Sequence, residues 1–223
     1  MFSVNDASTP RRGFLGRVAL AAAALGLSGS APAVLAAERA PRLAGGTDPE
    51  LDAWFGKLTG KHRQVFDAPY PNEGMPGVWP RVYLLTTEGT YPGESTTAMA
   101  ILRHHAIPLA MQDSLWAKYK LGEMFGIKNG DAPATANPYA TITGLPLPGL
   151  GIAELVKSGV LIGCCGAAIG VYSAAAAKKM NMDANTVKQE WIAGLFPGVQ
   201  VVPSGVMAVG RAQELGCSYC YAG

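Results

Sequence analysis

Several common functional signatures are missing from this sequence of 223 residues. It contains no G-x-S-x-G nucleophile elbow, no G-x-G-x-x-G dinucleotide fingerprint and no P-loop, so nothing indicates a hydrolase triad, a Rossmann cofactor site or a nucleoside triphosphate site. The acidic residues are scattered, and none pairs with another at a spacing typical of an acid–base couple. The function therefore has to be sought in single residues and in their placement within the fold.

An excess of charge of either sign is also missing. Lys and Arg number 18 against 16 Asp and Glu, a net charge of +2. Three arginines and one aspartate within residues 1–37 already give 3 − 1 = +2, so the remainder of the chain is neutral. It has no basic stripe for nucleic acid and no polybasic patch for anionic lipid. We therefore expect neither nucleic acid nor a membrane as partner of the mature chain.

No apolar run is long enough for a membrane-spanning helix of about 20 residues. The most apolar run near the amino terminus, residues 18–27, follows the consecutive arginines Arg11 and Arg12, and small residues lead up to Ala37. This pattern predicts a twin-arginine signal peptide over residues 1–37, removed on export of the folded chain to the periplasm. An N-terminal membrane anchor is the alternative interpretation.

The rest of the chain alternates between apolar runs typical of strands and helical patterns. Residues 38–60 are predicted as a linker and an amphipathic helix, and residues 61–223 as a single domain with a long loop at 126–149. The predicted strands are 63–68, 96–105, 160–164, 198–203 and 218–222. Strands separated by helices predict an α/β fold: a five-stranded, mainly parallel sheet with helices on both faces, of flavodoxin-like type.

Two adjacent cysteines, Cys164 and Cys165, follow the third predicted strand and stand immediately before Gly166 and a helical pattern. The carboxyl ends of parallel strands are where such sheets place their ligands. A cysteine just before a helix N-terminus is also where unpaired N–H groups and the helix dipole favour a thiolate. The alternative is that both are small buried core residues, because free cysteine packs well.

His104 and His105 close the second predicted strand and are expected on the same rim as Cys164 and Cys165. A protonated imidazole close to a thiol favours the thiolate. One imidazole with one or two thiolates would also suit Zn²⁺ or Cu⁺, although no pair here has the spacing of a helix face or a zinc knuckle. We therefore predict no cofactor, with zinc or copper as the alternative.

Cys217 and Cys220 form a CxxC motif across the last predicted strand. Because side chains alternate along a strand, the two are predicted to face opposite sides of the sheet, and Cys164 and Cys165 to diverge likewise. If the third and fifth strands flank the fourth, their backbones lie roughly 9–10 Å apart. That exceeds the limit of about 7 Å for bridged Cα atoms, so no intrachain disulfide is expected.

Three motifs carry a resemblance to a known family. Cys165 and Gly166 stand at a strand–helix junction, residues 197–206 read P-G-V-Q-V-V-P-S-G-V, and Gly216 precedes a closing aromatic strand. Over about residues 61–223 the chain resembles the DsrE/DsrF-like family. The doubled cysteine and the terminal CxxC depart from that family's sulfur-relay pattern.

The resemblance implies a flavodoxin-like sheet, a homo-oligomer and a persulfide-carrying cysteine at Cys165. From their positions, we expect Cys164 to resolve or compete and His105 or His104 to adjust the charge of Cys165. The predicted function is a periplasmic sulfur relay, sulfurtransferase-like in chemistry, whose partners are a small sulfur donor and an acceptor thiol protein. The alternative is a non-catalytic oligomeric protein that binds a small ligand or a zinc or copper ion in the same cleft.

Overall fold

The computed structural model describes residues 48–223. The predicted signal peptide and the linker that follows it lie outside the described residues. The regular elements, in chain order, are α1 (Pro49–Phe55), β1 (His62–Ala68), α2 (Trp79–Thr90), β2 (Thr96–Leu102), α3 (Asp113–Tyr119), α4 (Leu121–Phe125), α5 (Ile152–Lys157), β3 (Leu161–Cys165), α6 (Gly166–Met180), α7 (Ala184–Ala193), β4 (Gln200–Val202), α8 (Gly205–Glu214) and β5 (Ser218–Tyr221). None of the described helices has the length and apolar character needed to span a bilayer.

The strands β1 to β5 form one sheet in the order β4-β3-β2-β1-β5, and every neighbouring pair is parallel. This confirms the predicted α/β class, with a five-stranded sheet flanked by helices as in flavodoxin-like folds. The strand order could not be predicted from the sequence. It places β4 and β5 at opposite edges of the sheet, with three strands between them.

The two faces of the sheet are covered unequally. The chain steps in one direction from β1 to β4, and right-handed crossovers then place the connecting helices on one face. The return from β4 to β5 runs the other way and places α8 on the opposite face. The buried apolar residues divide accordingly into a broad-face cluster that contains Trp116 and Trp191 and a narrow-face cluster that contains Trp54 of α1 and Ala208 of α8.

The central strand β2 is buried over its last five residues, Ala98–Leu102, as expected for an apolar strand covered on both faces. The prediction that this strand continues to residue 105 is wrong. Arg103 is still extended, but His104 adopts a positive φ of 51° and begins a 3₁₀ helix, His104–Ala110. The two histidines therefore lie on the turn that leaves the sheet.

The long loop 126–149 contains a small antiparallel hairpin, Lys128–Asn129 with Ala132–Pro133. Beyond it, the buried Asn137 donates hydrogen bonds from Nδ2 to the carbonyl oxygens of Leu109, at 3.0 Å, and Met111, at 2.9 Å. These bonds fasten the loop to the end of the 3₁₀ segment that follows β2.

Candidate functional site

The candidate residues meet where the carboxyl ends of β1, β2 and β3 form one edge of the sheet, here named the carboxyl rim. The register pairs Leu102 of β2 with Cys164 of β3, so the next residues, Arg103 and Cys165, also stand level with each other. Neighbouring strands lie about 4.8 Å apart, which brings these two residues together at the rim. Leu102 is in turn level with Ala68, at the end of β1.

Cys165 joins the end of β3 to the start of α6. It is the N-cap residue of α6, and its Sγ accepts a hydrogen bond from the backbone N–H of Ala168 at 3.4 Å. The helix start is held in place because the N–H of Ala167 donates to the carbonyl oxygen of Pro203 at 3.1 Å. Gly166 fits here because a side chain would come within 3.1 Å of the Val202 carbonyl oxygen. The sulfur is thus placed against the positive end of a helix 15 residues long, with 6% of the residue exposed.

Cys164 differs from its neighbour although the two are adjacent. It has no solvent exposure, and burial, followed by the charge of Cys165, raises the pKa of its thiol well above the ordinary 9.0. It therefore stays protonated at neutral pH and has no access to a substrate. Both cysteines pack within the broad-face cluster. In the register, Cys164 is level with Leu102 of that cluster and Cys165 with Val202 of the narrow-face cluster, so the divergence of the pair stays a prediction.

The rim also carries a charged network that joins three strands. Arg103 donates from Nε to Oδ1 of Asp67 at 2.6 Å and from Nη2 to Oδ2 at 2.9 Å, while the Tyr219 hydroxyl donates to the same Oδ2 at 3.0 Å. The hydrogen bonds to Asp67 raise the pKa of Arg103 most, burial opposes the rise, and the charges of Asp67, Tyr219 and Cys165 add to it. The cation at the rim is therefore an arginine that Asp67 holds in place.

Asp67, Arg103 and Tyr219 are not among the candidates drawn from the sequence. Asp67 is buried, with 5% of its surface exposed, which is unusual for a carboxylate. Its three hydrogen bonds offset the cost of this burial. A sequence signal for the pair exists. An acid lies near the end of the first predicted strand and a base near the end of the second, and parallel neighbouring strands bring such ends together.

His104 holds a backbone conformation that non-glycine residues seldom adopt, with φ at 51°. Its Nδ1 and the hydroxyl of Tyr172 on α6 are hydrogen-bonded at 2.8 Å, and its ring lies 5.4 Å from that of Tyr70. Strained residues of this kind cluster at functional sites. His104 thereby ties the turn after β2 to the helix that Cys165 caps.

His105 packs its ring against its neighbours, with centroids 4.2 Å from His104, 5.8 Å from Phe125 and 5.6 Å from Tyr172. Burial, followed by the charge of His104, lowers the pKa of His105 below the ordinary 6.5. His105 is therefore neutral at pH 7. The prediction that it supplies a positive charge to Cys165 is not supported by this environment.

The terminal CxxC pair faces opposite sides of the sheet, as predicted, since Cys217 belongs to the narrow-face cluster and Cys220 packs against the broad-face cluster. The assumed strand arrangement is wrong, because β3 and β5 do not flank β4. They are separated by β2 and β1, which is three strand spacings or about 14 Å. All four cysteines are free thiols.

Within residues 48–223, no three His, Cys, Asp or Glu residues are grouped so that they could hold a metal ion. An open cavity of about 400 Å³ lies on the broad face near the β5 edge of the sheet. Its lining does not include Cys165. The lining residues are Gln64, Phe66, Trp79, Val82, Tyr83, Cys220 and Tyr221.

Comparison with known proteins adds little to this geometry. No protein-family model matches the chain, and no curated protein matches it. Among solved structures, the chain is similar to MTH1491, a protein of unknown function from Methanobacterium thermoautotrophicum, with 20% sequence identity and a TM-score of 0.34. The alignment covers 72% of this chain and 98% of that one. Similarity at this level supports neither a family nor an activity for this chain.

Proposed function

We propose that this protein carries reduced sulfur as a persulfide on Cys165, as an exported member of the DsrE/DsrF-like family working in the periplasm. One observation carries the proposal: Cys165 caps α6, and its sulfur accepts a hydrogen bond from the Ala168 N–H. Unpaired N–H groups and the dipole at a helix N-terminus stabilise a negative charge on sulfur. The same arrangement stabilises a persulfide anion, which carries its charge one atom farther out.

The proposed relay has two displacement steps and no net oxidation. The Cys165 thiolate attacks the terminal sulfur of an inorganic polysulfide, so that a bond forms from Sγ to this sulfur. The S–S bond of the donor breaks, and its electron pair leaves with the shortened polysulfide. An acceptor thiolate then attacks the outer sulfur of the Cys165 persulfide. The Sγ–S bond breaks, and its electron pair returns to Cys165 as a thiolate.

The partners in this proposal are a small sulfur donor and a protein that presents an acceptor thiol, and we expect the chain to act as a homo-oligomer. Cys164 takes no part, because burial keeps it protonated and away from solvent. The acceptor's thiol therefore has to come from outside, since Cys217 and Cys220 lie on β5 or next to it, about three strand spacings away.

Intact-mass spectrometry of the purified protein after incubation with inorganic polysulfide tests the proposal. We expect the wild-type chain to gain a mass equal to one sulfur atom. Cys165→Ala is expected to lose this adduct. Cys220→Ala is the matched control and should keep it. Cys220 is the partly exposed cysteine, whereas Cys164, Cys165 and Cys217 are buried.

A wild-type protein without the adduct, or a Cys165→Ala variant that gains it equally, would refute the relay. Stoichiometric zinc or copper in protein purified from the periplasm would favour the non-catalytic binding protein instead. Addition of a small protein with a free thiol to the sulfur-loaded wild-type chain should remove the extra sulfur and restore the original mass. This result distinguishes a relay from an inert oxidised cysteine.

A further inference from the structure

We propose that Arg103 is a positioning residue that keeps the Cys165 sulfur anionic and allows an anionic sulfur donor to approach it. The inference deepens the proposed function and rests on it. A thiolate and a polysulfide are both negative, so their reaction is opposed by repulsion unless a fixed cation stands beside them. The carboxyl rim provides such a cation on the strand next to Cys165.

The geometry fixes where the guanidinium can be. Arg103 is level with Cys165 on the neighbouring strand, by continuation of the Leu102–Cys164 register. Its stem passes over Gly205 at the start of α8, where an added side chain would come within 2.6 Å of the Arg103 Cβ. The aliphatic part of the Arg103 side chain therefore lies at the rim. The N-terminal ends of α6 and α8 are close together there, because the Ala167 N–H donates to the carbonyl oxygen of Pro203.

The guanidinium is held firmly but retains donors for a ligand. Asp67 engages Nε and Nη2, and its carboxylate is itself fixed by the Tyr219 hydroxyl. Within residues 48–223, Nη1 of Arg103 has no hydrogen-bond acceptor. The side chain as a whole is 28% exposed, so part of it reaches solvent while Asp67 holds Nε and Nη2. A clamped arginine loses little freedom when it binds an anion.

The other titratable groups of the surrounding elements do not supply this charge. The neighbour on β3, Cys164, is a protonated thiol, and α6 contributes the neutral Tyr172 hydroxyl, which is bonded to His104. Asp67 on β1 is negative and is neutralised by Arg103 itself. Tyr219 on β5 keeps its proton, because burial and then its bond to Asp67 raise its pKa. Arg103 is therefore the fixed cation of this group.

Alkylation of Cys165 by two reagents of similar size and different charge tests the inference. Neutral iodoacetamide and anionic iodoacetate are compared at pH 7 by mass spectrometry of the Cys165 peptide. In Arg103→Met, we expect the iodoacetamide rate to fall about tenfold, because less thiolate is present. The ratio of iodoacetate to iodoacetamide rates should also fall about fivefold, because the attraction for the anion is lost. Arg103→Lys should restore most of both.

The rate ratio separates charge from folding, since a change in access to Cys165 slows both reagents alike. Arg211→Met is the matched control: it removes the same charge from α8 at the far end of the helix and should leave the ratio unchanged. An Arg103→Met ratio equal to wild type would overturn the inference.

The outcomes also separate the inference from the proposed function. If the wild-type chain gains sulfur and Arg103→Met leaves both alkylation measurements unchanged, the inference fails and the relay stands. If the ratio depends on Arg103 but the wild-type chain gains no sulfur, the relay fails while the electrostatic role of Arg103 is upheld.

Discussion

Two regions of this molecule bear a cysteine at the end of a strand or near it, and they differ in almost every physical respect. At the carboxyl rim, Cys165 is 6% exposed, caps a helix and stands level with an arginine. At the β5 edge, Cys220 lines an open cavity of about 400 Å³ whose walls are mainly aromatic. Burial raises the pKa of Cys220 above the ordinary 9.0.

The two regions show that solvent access to a cysteine and stabilisation of its thiolate are separate properties. Within residues 48–223, the chain reverses direction after β4, so the crossover helix that leads to β5, α8, lies on the narrow face and leaves the broad face of β5 open. None of the described residues that line that cavity is charged. At the carboxyl rim, by contrast, the N-termini of α6 and α8 and the guanidinium of Arg103 lie around Cys165, which is 6% exposed. The open cavity and the cysteine proposed to be reactive therefore lie in different regions of the fold.

The rim network should differ from the β5 edge most strongly in what it adds to stability. Asp67→Ala removes the acceptor of three hydrogen bonds that join β1, β2 and β5 and leaves Arg103 without its partner. Because Arg103 is partly exposed, we expect a loss of about 2–4 kcal/mol in the free energy of unfolding, measured by urea denaturation.

The matched control is Gln64→Ala on the same strand, which removes one hydrogen bond to Ser218 at the β5 edge. It should cost no more than about 1 kcal/mol. Equal losses for the two variants would mean that the rim network adds no more to stability than an exposed edge contact.

A second test compares the two cysteines by reactivity. At pH 7 we expect Cys165 to react with iodoacetamide about tenfold faster than Cys220, because Cys220 remains a thiol. Raising the pH to about 9.5 increases the thiolate fraction of Cys220, so the ratio should fall. Peptide mass spectrometry over time measures both rates in one sample. A faster Cys220 at both pH values would show that access, rather than thiolate stabilisation, governs reactivity here.

The class of the fold could be predicted from the sequence because it depends on local patterns. Apolar runs that alternate with helical patterns indicate parallel strands, and the strand β3 followed by α6 was predicted within one or two residues. Strand order could not be predicted, since it depends on which edge the chain returns to after β4. The assumption that β3 and β5 flank β4 failed for this reason.

The candidate site could be predicted in position but not in chemistry. Cys165 and the two histidines follow strand ends, and this is visible in the sequence. Whether a histidine is charged depends on the rings around it, and those come from α4, α6 and the turn after β1. The pairing of Arg103 with Asp67 joins residues 36 positions apart and requires the β1–β2 register.

We expect His105, at the rim, to make a small contribution to the loss of stability in acid. The pKa of His105 is lower in the folded chain than its ordinary value of 6.5, so below about pH 6.5 the unfolded chain binds the proton more readily and stability falls. His105→Phe keeps an aromatic ring in the cluster with Tyr70, Phe125 and Tyr172 but cannot be protonated. Urea denaturation at pH 7.5 and pH 5.5 should show that the variant loses less stability on acidification than wild type, by no more than about 1 kcal/mol, because the ring is partly exposed. An equal acid loss in wild type and variant would show that His105 does not cause the acid sensitivity.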